Sequence, residues 1–432
     1  MVLSRVECHG GVGDVTGNCF LLDLCGTKIL VDCGMFRGRA EVERRNYAPF
    51  PFDPREIKYL FLTHAHLDHI GLLPKLVREG FLGEIIATGP TVDLSLMMLL
   101  DAAHTQEREE QRQETPPLFT FSDVERCYAL FTKVAYDDVL PLGAGIAARL
   151  RHAGHILGSA IIEISGRQGM KKVKLVFSGD LGGGQRPIVH DAAVIKAADG
   201  VFLESTYGDR LHKSLDETLE EFQTILRDTF QRRGNVIIPA FAIGRAQEIL
   251  YLVNELCRNG KLSRPKIYID SSCATEATKT FARYPQCLNR EAIRRLTQTG
   301  IPKRLPLITF AENLEASRAI GKVTGGAIII AGSEMCEAGR IQYHLKQHLP
   351  RSQSSVIFIG YQAEGTLGRE LVSGAKSVPI FDEEVPVHAN IHILERLSAH
   401  ADQKGLLNWL GHFTNRDLQV VIVHGEERNA LK

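Results

Sequence analysis

The stretch IKYLFLTHAHLDHIG, residues 57–71, runs an apolar strand straight into three histidines and an aspartate. Its first half, IKYLFLT, is the kind of short apolar run that fills a buried strand. Its second half sets His64, His66, Asp68 and His69 within six residues at the end of that strand. Imidazole and carboxylate are ligands that zinc accepts, and four of them crowded this closely form two sets able to face two ions. A single histidine on an apolar strand is more often a satisfied core residue. Four ionisable groups in one loop would be costly to bury without a ligand.

Working outward, NCFLLDL and TKILVDCG are apolar runs separated by the Cys25-Gly26 turn, which predicts a hairpin. Asp32, at the end of the second run, suits a supporting place in which it orients a metal-bound histidine or water. On the other side, LLPKLVREG reads as a helix ended by Gly80, EIIATGP as a strand, and TVDLSLMMLLDAAHTQEREEQRQE as a long helix whose charged end is a solvated face. Two further polar groups stand at strand ends, where a shared site would need them. His155 lies in HAGHILGS, with glycines on either side that let the backbone turn closely, and Asp180 lies in VFSGDLG. Each alone is as consistent with turn chemistry as with ligation; with HAHLDH they complete two coordination spheres.

From about Leu215 to Val387 the pattern changes to single apolar strands separated by helical segments, as in NVIIPAF, KIYIDS, GAIIIAGS and SSVIFIGY, the signature of parallel α/β units. The last stretch, ANIHILERLSAHADQKGLLNWLGHF and LQVVIVHGE, returns to strands whose ends carry histidines. The expected fold is therefore α/β: an αββα sandwich, residues 1–208 and 389–432, interrupted by an inserted parallel-sheet domain, residues 209–388. No internal repeat is visible.

Length and composition set the outer bounds. A chain of 432 residues suggests two or three domains. Lysine plus arginine balances aspartate plus glutamate at 51 each, so a polyanion must be held by a local groove and not by a global field. The nine cysteines, Cys8, Cys19, Cys25, Cys33, Cys127, Cys257, Cys273, Cys287 and Cys336, contain no CxxC pair and read as buried free thiols of a reducing compartment. MVLSRVECHGGVG has no apolar signal core, and no stretch approaches the roughly 18 apolar residues of a membrane span. The expected location is cytoplasmic, with no membrane partner.

HAHLDH, HAGHILGS and FSGD resemble the metal motifs of the metallo-β-lactamase fold. LEST with Glu204, SAHAD with His400 and VHGE with His424 resemble the three further motifs of the β-CASP nucleases, and PAFAIGRAQE, GSEMCEAGR and GYQAEGTLGR resemble their inserted domain. The likeness spans nearly the whole chain, in the family's order. It is greatest to the branch that holds the endonuclease of messenger-RNA 3′-end processing and its bacterial and archaeal relatives. What it implies is a ribonuclease that hydrolyses RNA by a two-metal-activated water, endonucleolytic by preference, with 5′-exonuclease action also known in the family. One zinc ion would take His64, His66 and His155; the other would take Asp68, His69 and His424; Asp180 would bridge both. His400, supported by Glu204, would be the general acid. DNA-directed family members typically lack histidine at the position of His424 and carry aspartate at that of Glu204, so both residues point to RNA.

The insert is expected to form one wall of a cleft over the metals. Arg340, Gly365, Thr366 and Arg369 are candidates to contact phosphates of single-stranded RNA through backbone N–H groups and guanidinium, although glycines at strand ends are often plain turns. Arg245 begins a helix and could equally cap or pair within the insert. The clusters Arg232-Arg233, Arg294-Arg295 and Lys303-Arg304 read as solvated surface. The insert could also supply a homodimer surface. KH modules of archaeal relatives and the extra C-terminal domain of ribonuclease J relatives are not expected within these residues. Family members usually continue past the position of Lys432 through a helix and a strand, so the closing layer is expected to be cut short. Two other readings stand beside the nuclease: a thioester or lactone hydrolase of the same fold, which would need neither the insert nor His400, and a silent RNA-binding scaffold, which would have lost ligands this chain keeps.

Overall fold

In the computed structural model, residues 5–113, 116–168, 171–297, 306–311 and 313–432 are described. The chain divides into two compact units, Met1–Leu211 with His400–Lys432, and His212–Ala399.

The first unit opens with a six-stranded sheet in sequential order: β1 (Arg5–Gly10), β2 (Cys19–Leu24), β3 (Thr27–Val31), β4 (Ile57–Phe61), β5 (Glu84–Thr88) and β6 (Phe131–Val134). The β2–β3 hairpin turns at Cys25 and Gly26, both at positive φ, and pairs Phe20 with Val31. From β3 onward the strands run parallel, so their C-terminal ends lie along one edge. A second sheet follows: β7 (Leu140–Gly143), β8 (Ile146–His152), β9 (Ala160–Gln168), β10 (Lys171–Phe177) and β11 (Gly200–Glu204). Phe20, Leu22, Val31 and Phe61 from the first sheet share one buried core with Leu150, Ile162, Phe177 and Phe202 from the second. Each such side chain contributes about 1.5–3 kcal/mol by leaving water. Alternation sends Ile161, Val176 and Val201 to the opposite face, where helix Gln403–Leu410 covers them with Leu406 and Trp409. Helix Gly89–Gln113 packs against β5 and β6. This is the αββα sandwich.

The second unit holds a parallel sheet built from β12 (Val236–Pro239), β13 (Lys266–Asp270), β14 (Leu307–Phe310), β15 (Ala327–Ala331) and β16 (Ser355–Phe358), a hairpin of β17 (Ser377–Ile380) with β18 (Glu383–Pro386), and β19 (Asn390–Ile393). The spatial order is β14-β13-β15-β12-β16-β19. Ile238, Ile267, Ile330 and Ile357 enter one core and Ile237, Ile329, Val356 and Phe358 another, so both faces are buried, which is why these strands are continuous apolar runs. Its first helix, Leu215–Gln231, starts in a reciprocal cap between Ser214 and Glu217.

The return to the first unit was expected at residue 389; β19 pairs in parallel with β16 and packs Ile391 on the insert's core, and the first compact unit takes up the chain again at His400. One expectation needs correction: not all thiols are buried, since Cys8 and Cys25 are exposed, although all nine are free. The last strand, β20 (Gln419–Val423), lies beside β11 at the edge of the second sheet and leaves Val420, Val421 and Ile422 37%, 38% and 37% exposed. No helix among the described residues is long and apolar enough to cross a membrane. The helix from Gly89 reaches Gln113, but the side chains of its charged end and that of Arg295 fall outside what is described, as does the Lys303-Arg304 cluster.

Candidate metal centre

Of the polar groups singled out in the sequence, Asp32, the HAHLDH residues, His155, Asp180 and His424 follow the ends of β3, β4, β8, β10 and β20, Glu204 is the last residue of β11, and His400 follows the short turn of helix Glu395–Leu397. Asp32 follows β3 at φ +58, a strained value for a residue with a side chain. Its carboxylate accepts Thr63 N–H at 2.8 Å, Thr63 Oγ1–H at 2.8 Å and His69 Nδ1–H at 2.7 Å, tying β3 to the loop after β4. Gly34 lies against that loop so closely that a Cβ would fall 1.6 Å from Asp68 O. His155 is fixed by Ser159 Oγ, which accepts the N–H groups of His155 and Ile156 at 3.1 and 3.2 Å. Gly158, at φ +86, passes Thr91 at a distance no side chain would allow. His424 follows β20 at φ +47 and donates its N–H to Gly11 O at 2.6 Å.

These supports bring donor atoms together in two sets. In the first, His66 Nδ1 lies 3.0 Å from His64 Nε2 and 3.3 Å from His155 Nε2, and Asp180 Oδ2 lies 3.3 and 3.5 Å from those Nε2 atoms. In the second, His69 Nε2 lies 3.5 Å from Asp68 Oδ2 and 3.4 Å from Asp180 Oδ1, and His424 Nε2 lies 3.4 Å from Asp180 Oδ1. The donor atoms of His64, His66, His155 and Asp180 fall within a 4.8 Å span, as do those of Asp68, His69 and His424 and those of Asp180, His400 and His424. Ligands about 2.0–2.2 Å from a tetrahedral zinc are about 3.3–3.5 Å apart, so the spacing suits a cation at each centre. The remaining polar valences agree. Asp180 Oδ1 and His155 Nδ1 are buried without a hydrogen-bond partner among the described residues, which would be costly if nothing else met them.

Burial, aided by neighbouring imidazoles, keeps His64 and His155 well below the usual histidine pKa and brings His424 down to about 3, so their rings are neutral and carry lone pairs. Burial pushes the other way on Asp180, yet the surrounding histidines hold its carboxyl well below the usual carboxylate range. For His69, burial is outweighed by the carboxylates of Asp180, Asp32 and Asp68, which raise it. Only Asp68 and His400 keep appreciable solvent contact here, with side chains 22% and 15% exposed.

His400 stands at the rim, its Nε2 3.8 Å from Asp180 Oδ2 and its Nδ1 3.1 and 3.0 Å from the two oxygens of Glu204. Glu204 is fully buried and is held by Leu181 N–H at 2.6 Å. Burial lowers the His400 pKa, but the Glu204 and Asp180 carboxylates outweigh it and raise it above the ordinary value.

A family model of the metallo-beta-lactamase superfamily matches residues 12–239, more than half the chain; a Beta-Casp domain matches 246–371, and a Zn-dependent metallo-hydrolase RNA specificity domain matches 384–432. This chain is a β-CASP member of the metallo-β-lactamase superfamily. Among its relatives is Ribonuclease TTHA0252 of Thermus thermophilus, 39% identical over 99% of this chain and 94% of that protein. Transcription termination factor FttA is 29% identical in Methanocaldococcus jannaschii, over 99% of this chain and 68% of that protein, and 31% identical in Pyrococcus abyssi, over 99% and 67%. A crystal structure of a protein of unknown function from Enterococcus faecalis V583 shares the fold at TM-score 0.54 and 12% identity, covering 99% of this chain and 96% of the other. As a β-CASP protein the chain is a metal-dependent hydrolase.

Within the β-CASP insert the expected phosphate contacts stand as follows. Arg340 donates to Asp270 Oδ1 at 2.6 Å and to Ala311 O at 3.0 Å. Arg369 donates to Gln362 O at 2.5 Å and Tyr361 Oη at 3.1 Å, and Thr366, following Gly365 at φ +86, caps helix Leu367–Val372. Arg245 is buried, pairs with Glu248 at 2.6 Å and donates to Leu397 O, so it braces the insert. Arg232, Arg233 and Arg294 are exposed. The sequence reading passed over Thr63, which joins Asp32 to His64 Nδ1 at 3.1 Å, and Asn18, which lies against Asp68, His69 and His424. Thr63 stands inside the quoted motif. Asn18 carries no signal beyond a glycine before it.

Proposed function

We propose that this β-CASP chain is a zinc-dependent ribonuclease that cleaves single-stranded RNA by a two-cation mechanism, endonucleolytic by preference. The observation that carries the reading is Asp180, whose two oxygens face the two donor sets separately. His64, His66 and His155 would hold one zinc ion, and Asp68, His69 and His424 the other. Zinc in these sets supplies Lewis acidity for a phosphodiester and brings the pKa of water toward about 7. Asp68 and His400 are the members that solvent reaches, so the scissile phosphate approaches between them. His400 holds a proton at Nε2 for the departing 3′ oxygen, and Glu204 accepts from Nδ1, which fixes the ring and favours its protonated form. Asp32 orients His69 in the same way.

Names of relatives support RNA as substrate: one is a ribonuclease, and the family model over 384–432 is described as an RNA specificity domain. Gly365 offers a backbone N–H just ahead of a helix start and Arg369 offers guanidinium as RNA phosphate contacts, whereas the Thr366 N–H is taken by Ala363 O at 3.3 Å and the Arg340 guanidinium by Asp270. Residues 209–388 would act as the substrate-holding insert. A homodimer through the insert belongs to the same proposal, supported by Tyr343 and Phe381, whose rings lie 4.6 Å apart, tilted by 43°, while 54% and 41% exposed. Nine free thiols suit a cytoplasmic setting.

The test is cleavage of end-labelled single-stranded RNA bearing 5′-phosphate or 5′-hydroxyl, with zinc, after chelation, and with Asp68→Ala. Internal cuts that are independent of the 5′ group and vanish in the last two arms are expected. Zinc-loaded protein that leaves RNA intact while hydrolysing a thioester would overturn the reading, and tight RNA retention without cleavage would make the chain a scaffold.

A further inference from the structure

Resting on the two-cation reading, we infer that Asn18 is the positioning residue that makes Asp68, His69 and His424 a single cation-binding set. Asn18 is buried, in the segment between β1 and β2, at least 50 residues in sequence from each of the three groups it serves. Its backbone is fixed to the loop that carries Asp68: Asn18 N–H donates to Asp68 O at 2.9 Å, and Asn18 O accepts Gly34 N–H at 2.9 Å. Its side-chain amide then reaches all three residues. Nδ2 donates to Asp68 O at 3.1 Å and lies 3.2 Å from His69 Nε2 and 2.8 Å from His424 Nδ1, while Oδ1 lies 3.1 Å from the same His424 Nδ1.

The chemistry of an amide gives this contact its meaning. Asp32 can only accept from His69 Nδ1, which turns that ring's Nε2 toward Asp68 and Asp180. An amide carries a donor and an acceptor, and both are within reach of His424 Nδ1. When Oδ1 accepts from a protonated Nδ1, the Nε2 lone pair faces Asp180 Oδ1, 3.4 Å away, and is available to a cation. When Nδ2 donates to a bare Nδ1, the proton sits on Nε2 and can be directed at Asp180. Asn18 therefore holds the His424 ring in one place through both tautomers, so that the set keeps its shape as a cation enters or leaves. At φ +47 the His424 backbone is strained, and a ring without this partner has every reason to turn away.

The experiment measures zinc, not turnover. Zinc equivalents and their release to a chelator are followed in the unsubstituted protein and in Asn18→Ala, with ¹⁵N histidine spectra reporting which nitrogen of His424 carries the proton. Expected are two equivalents in the unsubstituted protein and, in Asn18→Ala, an affinity lowered about 10–100-fold for one equivalent alone, with the hydrogen-bond shift at His424 Nδ1 lost. If the alanine variant does not fold, Asn18→Ser carries the same comparison with a smaller loss. Wild-type binding of both equivalents, or equal weakening of both, overturns the inference. Fewer than two equivalents in the unsubstituted protein removes the two-cation reading and this inference with it.

Discussion

Among the described residues two buried clusters join histidine to aspartate, one in each unit, and they are built in opposite senses. In the insert, Asp270 accepts from Arg340 at 2.6 Å, Ser317 Oγ at 2.6 Å and His344 Nε2 at 2.7 Å, so both carboxylate oxygens meet donors. In the sandwich, Asp180 Oδ2 faces the Nε2 atoms of His64 and His155 at 3.3 and 3.5 Å and its Oδ1 faces that of His424 at 3.4 Å, all three rings held neutral by burial, and Oδ1 meets no hydrogen-bond donor among the described residues. Residue types alone do not separate these clusters. Balance between donors and acceptors does: the first is closed and braces the fold, and the second is complete only with a cation.

The sharpest way to break the contrast is Asp180→Ala. It removes an oxygen from both sets at once, so bound zinc measured by elemental analysis is expected to vanish and RNA cleavage to fall to background. His400→Ala should be milder, lowering single-turnover cleavage about 10²–10⁴-fold as expected for loss of a general acid, with zinc content unchanged. A His400→Ala protein that loses zinc would place that residue among the ligands instead. In the insert, Asp270→Ala should leave zinc content per folded molecule intact but destabilise by about 3 kcal/mol in urea unfolding, because Arg340 and His344 lose their shared acceptor. The smallest effect concerns His348, buried beside Ser354, whose pKa is brought down to about 3 by burial and by the charge of Arg351. Its folded value lies below that of an unfolded histidine, about 6.5, so the unfolded chain takes the proton first. Stability should therefore fall as pH drops from about 6.5 toward 3, by up to about 1.4 kcal/mol per pH unit, and His348→Gln should flatten that slope.

The contrast also explains what could be read in advance. HAHLDH announces itself because four ionisable groups stand within one loop, and the apolar strands of the insert announce a sheet covered on both faces. Arg340 and Asp270, seventy residues apart, give no hint in the sequence that they neutralise one another. Asn18 and Thr63 belong to types that fill ordinary turns, and only the approach of distant strand ends gives them a task. The edge strand β19 shows a third limit: its apolar residues suit either unit, and hydrogen bonding to β16 assigns it.

One feature of the sandwich bears on how the protein is made. The turn after β20 closes on the chain's opening segment, with His424 N–H on Gly11 O at 2.6 Å and Gly425 N–H on Asp14 O at 3.2 Å. Translation must therefore pass from Asp68 and His69 through the whole insert to His424 before the second donor set has all its members. Until that moment the nascent chain, however well its early strands have paired, carries an open cage.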